Sequence, residues 1–128
     1  MLLPTTLSMA AAAAIVNLWL MIRIGRLRAR DRVLYGDGGN EMLIRRMRAH
    51  ANFTESTPLV LILIGAVELS GKGGQWLAIV GAVFILGRIS HAIGMDGRVP
   101  FRSTGALITM LTLLGLAVVA VLITLGRF

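Results

Sequence analysis

Arg45-Arg46-Met47-Arg48-Ala49-His50-Ala51-Asn52-Phe53-Thr54-Glu55-Ser56-Thr57-Pro58-Leu59-Val60-Leu61-Ile62-Leu63-Ile64 carries a charged stripe straight into an aliphatic run. On an α-helix at about 100° per residue, Arg48, Asn52, Glu55 and Leu59 fall within roughly 60° of one another. A cation, an amide and a carboxylate therefore share one face where the helix enters apolar surroundings. Ionisable groups at such a depth are costly unless they are paired or used. The stripe decides both the fold class and the place to look for chemistry.

Outward from it, the aliphatic residues gather into four blocks. Leu2 to Ile22 is free of charge. Phe53 to Leu69 is interrupted by Glu55, Pro58 and Glu68, and Trp76 to Ile93 by Arg88 and His91 near its end. Ala106 to Leu125 carries no charge. Each block is long enough to cross a hydrocarbon core of roughly 30 Å as a helix. With 56% hydrophobic residues and a mean hydropathy of +0.82, the 128 residues read as an all-α, integral-membrane four-helix bundle, a single domain over 1–128. A soluble bundle would leave Ala106–Leu125 without a polar face. The first block lacks a basic leader and is too long for a signal peptide, so it reads as a first span. Without cysteine there is neither a disulfide nor a thiol nucleophile in the chain.

The net charge of +7 comes from twelve arginines and one lysine set against six acids. Arg23, Arg26, Arg28, Arg30, Arg32, Arg45, Arg46 and Arg48 lie between the first and second spans, and Arg88, Arg98 and Arg102 around the third connection. The other connection has only Lys72. This is a positive-inside pattern rather than a nucleic-acid surface. It predicts cytoplasmic basic loops, both termini on the opposite, periplasmic side, and contact with phospholipids.

The first helix is expected to continue to about Arg32. Gly36-Asp37-Gly38-Gly39-Asn40 then breaks the chain, and Asn40 or Asp37 caps the second helix. The glycine run lacks the ending and the preceding strand of a phosphate loop. The second helix is expected from about Asn40 to Leu69, kinked at Pro58. The third runs from about Gln75 to Ile93, with Gly94–Pro100 as a loop and the fourth helix beyond. Gly105 and Gly115 are candidates for close helix contact.

Glu55 is the central polar oddity. Arginines of the first or third helix are expected to reach it, either as a buried ion-pair network or as a site where the carboxylate takes an ammonium and guanidinium groups fork onto carboxylates. Arg88 and His91 share a face of the third helix, where the plain reading is a snorkelling arginine and an interfacial histidine. Two histidines with no close acidic pair do not suggest a metal site. Glu68 reads as interfacial, and Asn17 as a hydrogen-bond partner for another helix.

At Arg48-x-x-x-Asn52-x-x-Glu55 the chain resembles the MAPEG family, the membrane-associated proteins of eicosanoid and glutathione metabolism. Gly36-Asp37-Gly38-Gly39, the run into Pro58-Leu59, and Gly87-Arg88-x-x-His91-Ala92-x-Gly94 resemble its bacterial branch. The leukotriene-type relatives carry tyrosines where this chain has Ser56, His91 and Met95. The resemblance implies a homotrimer with glutathione, as co-substrate, bound at the cytoplasmic side between protomers. By position, Arg28, Arg48, His50, Asn52, Glu55, Arg88 and His91 would form the glutathione site. Arg102 would stabilise the thiolate that attacks a hydrophobic electrophile or lipid hydroperoxide arriving from the bilayer. A bacterial inner-membrane transferase or peroxidase is thus the leading expectation. A non-catalytic lipid-binding or scaffold protein of the same fold is the alternative. A small cation exporter is disfavoured, because the first span, Leu2 to Ile22, has no acid.

Overall fold

The computed structural model describes residues 1–128 as four helices and no strand: α1 Pro4–Asp31, α2 Glu41–Leu69, α3 Gln75–Met95 and α4 Val99–Thr124. All four are long and apolar enough to cross a membrane. They run up and down. One end of the bundle holds both termini and the Ser70–Gly74 turn; the other holds the arginine-rich connections. α2 and α3 form the central diagonal. α2 packs against all three other helices, while α1 and α4 lie on opposite flanks and do not touch.

Local chemistry sets the helix ends. Pro4 opens α1, where its missing N–H costs nothing. Arg32 closes it in the left-handed region at φ 55°. Asn40 caps α2 by accepting from the Leu43 N–H at 3.1 Å, and α2 runs unbroken through Pro58. The expected loop over Gly94–Pro100 is shorter than the sequence suggests. α3 continues through Gly94 to Met95 and α4 starts at Val99, leaving Asp96–Arg98 as the turn. Arg102 accordingly lies in the first turn of α4 rather than in a connection.

Two glycines explain that tight turn. A Cβ on Gly94 would run into the backbone of Arg102, and one on Gly105 into the Gly87 carbonyl oxygen and His91. α3 and α4 therefore approach backbone to backbone at the arginine-rich end, as small residues permit in membranes. Gly115 does not act this way; nothing lies near its Cβ position. There the two helices diverge around an apolar cleft of about 380 Å³ lined by Trp76, Val83, Ile108, Leu111, Gly115 and Leu116, among others.

Glu68 does more than sit at an interface. Its carboxylate accepts from the backbone N–H groups of Thr5 and Thr6, both at 2.8 Å, and from the Thr6 hydroxyl at 2.6 Å. α1 has no side-chain cap of its own. The last turn of α2 thus supplies the anion that the N-terminus of α1 favours.

Replacing Glu68 by Ala should fray the start of α1: amide exchange at Thr5–Leu7 rises severalfold while exchange in α3 is unchanged, as hydrogen-exchange mass spectrometry will read. Gly105→Leu should overpack the seam and cost on the order of 1–3 kcal/mol in a reversible SDS-unfolding titration. Gly115→Leu at the open position should cost far less.

Candidate functional site

The polar residues of the sequence motif separate into an inner and an outer set. Arg88 is the largest side chain in the deepest part of the core, 1% exposed. It does not snorkel. Its guanidinium donates to the Thr109 hydroxyl on α4 at 2.6 Å, to the Asn52 side-chain oxygen on α2 at 2.5 Å, and to His91 Nδ1 at 3.1 Å. Thr109 in turn donates to the Gly105 carbonyl at 3.0 Å. One residue of α3 thereby joins α2 and α4, and the node contains no carboxylate.

The outer set is Arg48, Glu55 and Arg102. All three are exposed, and none makes an ion pair within the chain. No arginine of α1 or α3 pairs with Glu55, contrary to expectation. Arg23 pairs with Asp96 at 2.7 Å and stacks over Trp19 at 4.8 Å. Arg46 approaches the same carboxylate at 3.5 Å, and Arg88 is held by Asn52. Arg48 and Glu55 flank Asn52, one turn to either side, on the shared face of α2. Arg102 lies on α4, whose first turn packs on α3 at Gly94.

Arg28 serves the connection after α1. It donates to the carbonyls of Gly36 at 2.7 Å and Val33 at 3.3 Å. The Gly36–Asn40 loop therefore turns its first carbonyl toward a cation, the opposite of a phosphate cradle. Asp37 accepts from the Gly39 N–H and Asn40 donates to Asp31, which closes the loop. His50 turns away from the Arg48–Glu55 face and donates from Nε2 to the Asn17 side-chain oxygen at 2.8 Å, pinning α2 to α1. No group of three or more metal-ligating side chains occurs.

Thr109 and Asp96 are polar contributors that sequence reasoning missed. A threonine in an uncharged span carries no outward signal. Asp96 gains its role only because α1, α2 and α3 converge at one end.

The family comparison decides between membrane bundles that share this outline: the MAPEG family matches over residues 6–122. The chain belongs to the MAPEG family. Its inner node and outer charges are thus the polar apparatus of a MAPEG membrane protein. Two Escherichia coli proteins, each called "Inner membrane protein YecN", are 33% identical to it over 106 residues, which cover 82% of this chain and 81% of theirs.

Asp96→Asn should loosen the α1–α2–α3 junction. With Arg23 and Arg46 left uncompensated at a half-buried position, the variant should lose about 1–3 kcal/mol in SDS-unfolding titrations, between the values for surface and buried pairs.

Proposed function

We propose that this MAPEG protein is a glutathione-dependent transferase or peroxidase of a bacterial inner membrane, working as a homotrimer with its arginine-rich end in the cytoplasm. The observation that carries the reading is that Arg48 and Glu55, which flank Asn52 on α2, and Arg102 at the start of α4 are exposed and make no ion pair within the chain. Glutathione has two carboxylates, one ammonium, two peptide groups and a thiol. Guanidinium groups suit the carboxylates, Glu55 the ammonium, and Asn52 a peptide or carboxylate oxygen. A bare carboxylate about one turn inside a membrane helix needs such a partner, from a ligand or from a neighbouring protomer.

Chemistry follows from the cation on α4. A free thiol of pKa about 8.5 is only a few per cent ionised at neutral pH. Arg102 beside the sulfur raises that fraction. The thiolate then attacks an electrophilic carbon and expels its leaving group, or attacks the terminal oxygen of a hydroperoxide, breaking the O–O bond to release an alcohol. The glutathione sulfenic acid left behind is converted by a second glutathione to the disulfide and water. The positive-inside charge map supports the orientation, and the inner-membrane relatives support the compartment.

A second reading, lipid binding without turnover, is favoured by the apolar cleft between α3 and α4. It begins at Ile108, about 9 Å along the helix from Arg102. Its one hydroxyl, Thr112, is spent on the Ile108 carbonyl. Such a lining suits an acyl chain and offers no reactive group.

Purified protein in nanodiscs should bind glutathione by calorimetry and conjugate it to 1-chloro-2,4-dinitrobenzene with release of chloride. Arg102→Ala should lower kcat on the order of a hundredfold with a smaller change in glutathione affinity. Absence of glutathione binding in the folded protein defeats the enzyme reading. Retention of phospholipid with no turnover favours the second.

A further inference from the structure

We propose that Arg88 is a positioning residue that never touches the ligand: it holds Asn52 by its oxygen so that the amide N–H2 faces the Arg48–Glu55 surface as a pure donor, and it fixes His91 as the Nε2–H tautomer. The first half deepens the glutathione reading and rests on it. The second half stands independently.

A guanidinium only donates. Each of its three partners must therefore present an acceptor to it, whatever their freedom elsewhere. The Asn52 oxygen at 2.5 Å is turned inward, so the NH2 group is turned outward. That group has no partner within the chain. His91 meets Arg88 through Nδ1, which must be the bare nitrogen, and its proton resides on Nε2. Thr109 accepts from Arg88 and donates its own O–H to the Gly105 carbonyl oxygen. Every rotatable polar group around Arg88 thus has one permitted orientation.

The energetics say why a charge stands there. Arg88 lies seven residues before the end of α3, about 10 Å inside it. A buried cation without a counter-ion is expensive, and an apolar side chain of similar size would pack at lower cost. Neutral amide, hydroxyl and imidazole groups offset only part of that cost. What the cation adds is direction and polarisation. A positive charge on the amide oxygen strengthens the N–H2 on the far side as a donor. The group it selects is an acceptor, a carboxylate or peptide oxygen, flanked by Arg48 on one side and Glu55 on the other. Arg88 thereby sets the specificity of a position it does not occupy.

Two measurements test this on the full-length protein in nanodiscs. The chain has two histidines, so 15N-histidine labelling gives two side-chain signals, and His50→Gln assigns them. The expected result is a protonated Nε2 and a bare Nδ1 for His91, replaced by a tautomer mixture in Arg88→Met. Arg88→Lys takes its place if the methionine variant does not fold, because lysine keeps the charge but cannot hold both partners. A protonated Nδ1 in the native protein, or an unchanged signal in the folded variant, overturns the proposal whether or not glutathione binds. The second measurement is glutathione affinity in Asn52→Asp, which keeps an oxygen for Arg88 and replaces the outward donor by an acceptor. Affinity should fall at least tenfold while thermal stability is retained. Affinity equal to the native protein's overturns the donor assignment. Failure of the native protein to bind glutathione is instead the failure of the proposed function, and the tautomer measurement then decides the positioning role alone.

Discussion

A guanidinium sealed inside a membrane bundle, with no carboxylate to neutralise it, is the constraint around which this protein is arranged. Arg88 tolerates its position only because three helices turn acceptors toward it at once. That requirement sets the spacing of α2, α3 and α4 at the arginine-rich end. It also explains the glycine seam. Thr109 and His91 meet the cation together only if α4 approaches α3 at backbone distance, which Gly94 and Gly105 allow. Lipid supplies no hydrophobic drive for helices to associate, so close packing and directed hydrogen bonds must hold them. Polar side chains are therefore a means of assembly in this bundle.

The two ends of the molecule spend their charges differently. At the terminal end Glu68 is consumed by the start of α1, and Trp76 rests against Phe128 with ring centres 5.7 Å apart. At the other end the arginines divide. Arg23 and Arg46 converge on Asp96, Arg28 holds the loop after α1, and Arg45 pairs with Glu41. Arg48, Arg102 and Glu55 make no ion pair in the chain. The same residue type thus builds the scaffold where it finds an acceptor in the chain, and is left unpaired where it finds none.

Much of this was legible before any coordinates. Four uncharged or nearly uncharged blocks dictate four helices, because each must satisfy its own backbone hydrogen bonds in lipid. Asn40, one of two candidates with Asp37, announces the start of the second helix by local chemistry. The spacing of Arg48, Asn52 and Glu55 places them on one face regardless of what surrounds them. The interhelical role of Asn17 was legible for the same reason: an amide in lipid must find a partner, here His50.

What the chain could not state for itself is which polar group meets which. Arg88 read as a snorkelling side chain because periodicity gives a helix face and not the neighbour that face will meet. Glu68 read as interfacial because its partners lie sixty-two and sixty-three positions away. The third connection read as longer than it is because glycine signals both a loop and a close approach, and only the position of Arg102 against Gly94 distinguishes them. Sequence alone determined the spans and the face carrying the motif, since these follow from transfer energies and helical geometry within one segment. The tertiary structure decided the sorting of arginines into structural and free, since pairing depends on distances between helices that no single helix encodes.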